Sequence, residues 1–383
     1  MEKEQKIILF THGNDIDGIG CLILADLAFD DPSYALVSNI TELETKFEEA
    51  LNRPKPSDLY SYRNDDTKIS CRLDSYDRIY VTDLCFHKEF FERLKEEPEI
   101  ASRIKVFDHH ATSIKEGCLE YPNVNIIENS DGKKRCATDI FYEYLIQQGL
   151  LKRTRVLDKF VELTRLEDTW DWKKAGPSGK EAHDLAILFN ACNSNNYRKN
   201  IMQALKRTTE VLEIQEEKID ASNLSPKEKE LKKSKIVVKL ILSKDDKKVI
   251  EQKKKEDMAC MQKLWNEAEI FTDEENNTFA AVFADYEYRN ELAEYVQNLI
   301  EQGKQEEAIR YLVVVALEKG QFGQKSYRAI EEGFNVGKVA ESHGGGGHEA
   351  AASVNITEEQ REHALTLKRR SGLDYLVNSD YKC

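Results

Sequence analysis

The sequence has no apolar run approaching the roughly 18 residues of a membrane span. Its N-terminus, MEKEQKIILFTH, carries acidic residues and too short an apolar stretch for a secretory signal. Both absences predict a cytoplasmic protein that does not engage the membrane. No two of the eight cysteines (Cys21, Cys71, Cys85, Cys118, Cys136, Cys192, Cys260 and Cys383) form a CxxC pair, which argues against a zinc site or disulfide frame and for scattered thiols. An excess of positive charge is missing as well. Fifty-six Lys+Arg against 70 Asp+Glu leave a net charge of −14, a balance that disfavours affinity for long nucleic acid. Length is not lacking: 383 residues, at roughly 150 per domain, predict two to three domains.

Lys6 to Thr11 (KIILFT) is an apolar run of strand length that ends at a polar cluster, HGNDIDG, before a helical pattern from Ile19 to Phe29. The same grammar returns twice. Arg78 to Asp83 (RIYVTD) precedes a helix around His87 to Lys95, and Ile104 to Phe107 (IKVF) precedes DHHATS. In an open parallel sheet the ligand crevice lies beyond the carboxyl ends of the strands, so the three polar clusters are expected to meet. Residues 35–38 and 124–127 bring the expected sheet to about five strands. The fold class read from this pattern is α/β: a parallel-sheet N-terminal domain over 1–195 with a polar surface insertion near 53–76, a charged helical linker over 196–270, a smaller α/β domain over 271–360, and a short helical and polar tail over 361–383.

Chemistry-bearing residues sit at the strand ends. His12, Asp15 and Asp17 combine an imidazole with two carboxylates, a donor set suited to Mn, Fe or Zn, although a polar turn with a helix-capping Asp has the same pattern. Asp83 ends an apolar strand, where it is either a helix cap or a group aimed into the crevice. Asp108, His109 and His110 follow the third strand. Adjacent residues of an extended segment project to opposite sides, so two histidines there do two different jobs. Asp168, in LEDTWDW, is a weaker candidate, and its neighbours Trp170 and Trp172 read as core. Gly344 to Gly347, followed by His348 in SHGGGGHEAAAS, would let backbone N–H groups approach an anion, and the small residues after it suggest a close-packed helix.

The order HxxDxD, VTDL, DHH, EDTW and GGGGHxAAAS resembles the DHH phosphoesterase superfamily with a DHH-associated C-terminal domain, and is most similar to its oligoribonucleases, from about Ile7 to Ser353. The resemblance implies two divalent ions, usually Mn. His12, Asp15 and Asp83 would hold one, and Asp17, Asp83, His109 and Asp168 the second, with Asp83 bridging. It also implies that Asp108 supports an imidazole, that His110 faces the scissile phosphate, and that Arg328 with Gly344, Gly345, Gly346, Gly347 and His348 clamps substrate. The implied activity is phosphodiester hydrolysis of short RNA oligonucleotides. Cyclic or linear dinucleotides and 3'-phosphoadenosine 5'-phosphate are alternative substrates, and a catalytically silent nucleotide sensor is an alternative of another class. Polarity of attack and oligomeric state stay open, and a homodimer is compatible with the reading.

Overall fold

The structure, a computed structural model, describes residues 5–52, 62–64, 67–69, 71–115, 117–305, 308–317, 323–347 and 349–378. The chain folds as two units, Met1–Glu251 and Gln252–Cys383. No helix among the described residues is long and apolar enough to cross a membrane.

The first unit alternates strands and helices: β1 (Ile7–His12), α1 (Ile16–Ala28), β2 (Ser33–Val37), α2 (Ile40–Leu51), β3 (Tyr62–Asn64), β4 (Thr67–Ile69), β5 (Arg78–Thr82), α3 (Lys88–Leu94), α4 (Pro98–Ala101), β6 (Ile104–Asp108), α5 (Ala111–Lys115) and β7 (Val124–Ile126). Sheet order is β3-β4-β2-β1-β5-β6-β7. The five strands from β2 to β7 are mutually parallel, while β3 and β4 add antiparallel pairing at one edge. Strand β1 shows why the sheet is buried on both faces. Ile7 and Leu9 enter one apolar core with α1, whereas Ile8 and Phe10 enter another with Leu43 and Phe47 of α2, so the strand reads as a continuous apolar run rather than an alternating one. The insertion expected near 53–76 therefore contributes two edge strands and is not wholly irregular. Its residues 53–61 lie outside the described residues.

A short hairpin, β8 (Asn129–Ser130) and β9 (Lys133–Lys134), leads into α6 (Ala137–Gln147), α7 (Arg155–Asp168), α8 (Gly176–Asn190) and α9 (Ser194–Asp220). Tyr197, Ile201, Ala204 and Leu205 of α9 are buried in the first unit's core. This corrects the linker expected from 196: a helical apolar stripe precedes the Lys/Glu-rich stretch. Helices α10 (Pro226–Ser234) and α11 (Lys244–Asn266) follow.

The second unit contains β10 (Glu269–Thr272), β11 (Thr278–Phe283), α12 (Arg289–Glu301), β12 (Tyr311–Ala316), β13 (Gln324–Ala329), α13 (Val336–Ser342), β14 (Gly346–Gly347), β15 (Ala351–Asn355), α14 (Glu358–Thr366) and α15 (Arg369–Asn378). Its sheet runs β10-β11-β12-β13-β15-β14, antiparallel except between β11 and β12. Two sequence expectations fail here. The small residues after the glycines form strand β15, not a helix, because Ala351 to Asn355 pair with β13. The tail is helical as expected but not polar throughout, since Leu373, Leu376 and Val377 of α15 recur at helical spacing and are buried against the sheet.

Candidate metal centre

The strand register places the site. Thr11 pairs with Thr82, and Thr82 with Phe107, so the residues one step further along the three strands are His12, Asp83 and Asp108. They stand side by side at the carboxyl edge of the sheet. The chain leaves β1 towards β2 on one side and returns to β5 on the other, making the β1/β5 boundary the topological switch point where open α/β sheets bind ligands. Beneath this row Thr82 Oγ1 donates to Thr11 Oγ1 at 2.7 Å, and Thr11 Oγ1 donates to Gly18 O at 2.9 Å, tying α1 to the sheet.

Asp15 is the cap of α1. Its Oδ1 accepts from the backbone N–H groups of Asp17 and Gly18 at 3.1 and 3.0 Å, leaving Oδ2 at 2.6 Å from His12 Nδ1. Asp17, fully buried in the first turn, accepts at both oxygens from the start of α6: Ala137 N at 2.7 Å and Thr138 N at 2.8 Å. Asp83 does not cap a helix, since the cap position of α3 is His87. It adopts a left-handed backbone, φ +62°, which Asp tolerates better than most residues, and is held by its N–H to Phe107 O at 2.9 Å. Asp168 is the last residue of α7.

These elements converge on His109. Its Nε2 lies 3.4 Å from Asp83 Oδ1, 3.5 Å from Asp168 Oδ2 and 3.7 Å from Asp17 Oδ2. These separations are too long for hydrogen bonds. Donors that share one ion at about 2.0–2.2 Å in tetrahedral array sit roughly 3.3–3.6 Å from one another, so the spacing fits a cation between them. Three buried atoms, His109 Nε2, Asp168 Oδ2 and Asp83 Oδ2, have no hydrogen-bond partner. Unpaired buried donors and acceptors are costly; a divalent ion beside His109 would satisfy His109 Nε2 and Asp168 Oδ2, and Asp83 Oδ2 faces the His12 side. His12, Asp15 and Asp83 form a second group of potential ligands, with Asp83 Oδ2 at 3.5 Å from His12 Nδ1. All six residues expected as ligands are thus in the first unit and near one another.

Asp108 lies deeper. Its Oδ1 accepts from His109 N at 2.8 Å and faces His110 Nδ1 at 2.7 Å, while Oδ2 accepts from Ser113 Oγ at 2.6 Å. It orients His110 rather than the His109 ring. Ser113 was not singled out from the sequence, although DHHATS contains it; a serine with a buried acceptor five residues upstream has no periodic signature.

In the second unit, Arg328 donates from Nε to Asn290 Oδ1 at 2.7 Å and from Nη1 to Tyr327 O at 2.8 Å. Burial, with Arg289 beside it, pulls its pKa down to about 10. Gly344 takes a left-handed φ of +79°. Gly347 is needed for close approach, since a Cβ there would fall 2.4 Å from Ala352 Cα. At least part of the glycine requirement is therefore strand packing. His348 lies outside the described residues.

Residues 275–369 match the DHHA1 domain family. The chain is 27% identical over 365 residues to oligoribonuclease NrnB of Bacillus subtilis, the match covering 92% of this chain and 74% of that protein. Residues 275–369 thus resemble a DHHA1 domain, and the likeness to NrnB extends over most of the chain. Among solved structures, the pGpG-specific phosphodiesterase PggH from Vibrio cholerae is 13% identical with a TM-score of 0.45, covering 98% of this chain and all of that one. RecJ from Thermus thermophilus, solved with Mg2+, is 12% identical with a TM-score of 0.38, covering 96% of this chain and 50% of that one.

The electrostatics of this cluster of carboxylates and imidazoles favour a cation. Burial, reinforced by Asp15 and Asp17, pushes the Asp83 pKa well above the carboxylate range; burial and Asp17 do the same to Asp168. Burial also raises the Asp15 pKa, but the His12 hydrogen bond and charge more than reverse it. For His12, burial pulls down and the bonds and charges of Asp15 and Asp83 outweigh it, giving a pKa of about 11. The metal-free protein therefore holds protons that a cation must expel. A carboxyl whose folded pKa is raised contributes stability that is present below about pH 4 and lost as pH rises through its folded value. For this reason the Tm of chelator-treated protein should fall as pH is raised above about 4 through the Asp83 and Asp168 range, and Mn2+ should cancel that fall. The His12–Asp15 pair does not offset it, because the His12 contribution is itself lost as pH rises from about 6.5 to about 11, and Asp15 loses its own only below about pH 4. Parallel thermal melts with chelator and with Mn2+ check this; a pH-independent gap between the two curves would contradict it.

Proposed function

We propose that this protein is a divalent-metal-dependent phosphodiesterase that hydrolyses short RNA oligonucleotides to nucleoside monophosphates, using two ions with Mn as the preferred metal. The observation that carries the reading is His109 Nε2 ringed by three carboxylates at 3.4–3.7 Å, with unpartnered buried oxygens on Asp83 and Asp168. Two bound ions would neutralise charge on the phosphate and lower the pKa of an attacking water.

The chain's own residues do the rest. Asp17 and Asp15 are fixed by backbone N–H groups, so their oxygens need no rearrangement to act as ligands. His110 is aligned by its Nδ1 contact with Asp108, which leaves Nε2 for the substrate. The Asp108 hydrogen bond raises the His110 pKa against the opposing effect of burial. A protonated His110 can then pass its Nε2 proton to the leaving oxygen.

Arg328 supplies a half-buried donor set, charged at neutral pH, to a phosphate in the second unit. Arg328→Ala is expected to raise KM more than it lowers kcat, by about 10-fold or more, as for the loss of charged hydrogen bonds to substrate. Steady-state kinetics on a diribonucleotide would decide, and an unchanged KM would remove Arg328 from the clamp.

The substrate class is tested by initial rates with Mn2+ on labelled dinucleotide, pentanucleotide, 24-mer RNA, cyclic di-AMP and 3'-phosphoadenosine 5'-phosphate. A net charge of −14 repels a long polyanion, so kcat/KM should peak for two to five nucleotides and fall for the 24-mer. Faster hydrolysis of cyclic di-AMP or 3'-phosphoadenosine 5'-phosphate would replace the oligoribonucleotide reading, and salt-sensitive processive degradation of the 24-mer would contradict the length limit.

A further inference from the structure

We propose that Trp170 is a stacking platform for a base of the bound oligonucleotide, next to the phosphate that is cleaved. The proposal rests on the phosphodiesterase reading for its substrate, and on independent observations for its place. The sequence suggests Trp170 as core, but the structure corrects this: its side chain is 50% exposed. It also holds a left-handed backbone, φ +63°, an outlier for a bulky residue. A glycine would relieve the strain, and an exposed indole gains little from burial. The left-handed turn itself ends α7, with Trp170 N–H on Glu167 O at 3.1 Å, a position where glycine is usual; neither helix termination nor burial selects a tryptophan there, and residues held at such a cost cluster at ligand-binding positions.

Its surroundings suit a single-stranded nucleic acid. Trp170 follows Asp168 by two residues, so their Cα atoms are at most about 7 Å apart. Lys173 Nζ lies 5.2 Å from the Trp170 ring centroid and 5.6 Å from that of Trp172, and Trp172 stacks on His183 at 4.1 Å with an interplanar angle of 11°. Trp170 is the solvent-exposed end of this series. The one acidic residue between the two indoles, Asp171, is ion-paired with Arg165 at 3.0 Å. The same Arg165 Nη1 donates to Lys134 O at 3.3 Å, which brings the exposed Lys133 and Lys134 of the β8–β9 hairpin beside this turn. Aromatic faces interleaved with lysines are how proteins hold single strands without reading sequence, the ring taking the base and the ammonium groups the phosphates. The class of ligand is a short single-stranded oligonucleotide, and the contact is sequence-tolerant because every base has a π face.

The test compares wild type, Trp170→Ala, Trp170→Phe and Trp170→Gly in the full chain with Mn2+. Substrates are a diribonucleotide and the matching diribose phosphodiester that lacks both bases. Trp170→Ala should raise KM for the diribonucleotide by about 10-fold and leave kinetics on the base-free diester unchanged. Trp170→Phe should restore most of the affinity. Trp170→Gly should lose affinity like the alanine variant without loss of Tm, since glycine suits φ +63°. An unchanged diribonucleotide KM in Trp170→Ala, or an equal loss on the base-free diester, overturns the proposal. Fluorescence anisotropy of a labelled, non-hydrolysable dinucleotide phosphorothioate reads the same contact without turnover, and should show the same order of affinities. If wild type hydrolyses neither substrate, the phosphodiesterase reading fails, and the binding series still decides on Trp170.

Discussion

Asp83→Asn should lower kcat by at least about 10²-fold while raising the Tm of the metal-free protein. The loss of rate follows from the site's geometry. Asp83 reaches both groups of ligands, with Oδ1 at 3.4 Å from His109 Nε2 and Oδ2 at 3.5 Å from His12 Nδ1. An amide offers a single uncharged oxygen in place of two anionic ones, and loss of a comparable electrostatic contact costs at least this much. The gain in Tm follows from repulsion. Asp83 is buried among Asp15 and Asp17, which push its pKa up after burial itself, so Asn, which is neutral without taking up a proton, removes the cost of holding a carboxyl there at neutral pH. Asn also tolerates φ +62° at this position. Kinetics and melts on one preparation check both halves. A folded variant that binds two ions and keeps near-normal activity would overturn the role of Asp83 as the shared ligand.

Asp108→Ala should have the opposite effect on stability. Its carboxylate accepts from His109 N and Ser113 Oγ and pairs with His110 Nδ1, all within 2.8 Å, and its side chain has no exposure. Truncation leaves three polar groups without their acceptor, costing about 3 kcal/mol, or a Tm lower by roughly 6–12 °C for a unit of this size. Turnover should fall about 10²-fold as well, because His110 loses the contact that aligns it. Burial raises the Asp108 pKa, but the His110 hydrogen bond and charge, with Ser113, bring it below the ordinary value. Its stabilisation is therefore present above about pH 4 and lost as pH falls through the folded pKa. Thermal melts would contradict this if Asp108→Ala matched wild type at neutral pH.

The opposite signs expected for two neighbouring aspartates show which parts of the site were legible in the sequence. Strand ends at His12, Asp83 and Asp108 could be read because buried parallel strands are continuous apolar runs, and a parallel sheet gathers their carboxyl ends. The register that sets these three side by side is a tertiary fact, since Thr11, Thr82 and Phe107 share no sequence pattern. Asp17 gave no hint that it also caps α6, from a position 120 residues upstream of Ala137. Trp170 was misread because tryptophan is usually core, and neither exposure nor a left-handed backbone is visible in composition. Strand β15 was misread as helix because alanine favours helices, and pairing with β13 overrides that weak preference.

We propose a two-ion phosphodiester hydrolase built on Asp83 and His109. Its most direct test is to titrate Mn2+ into chelator-stripped protein while measuring bound metal per chain and the initial rate on a labelled diribonucleotide. The rate should stay near zero through the first equivalent and rise with the second, and Asp83→Asn should abolish the rise. Full activity in chelator, or at one ion per chain, would contradict the account.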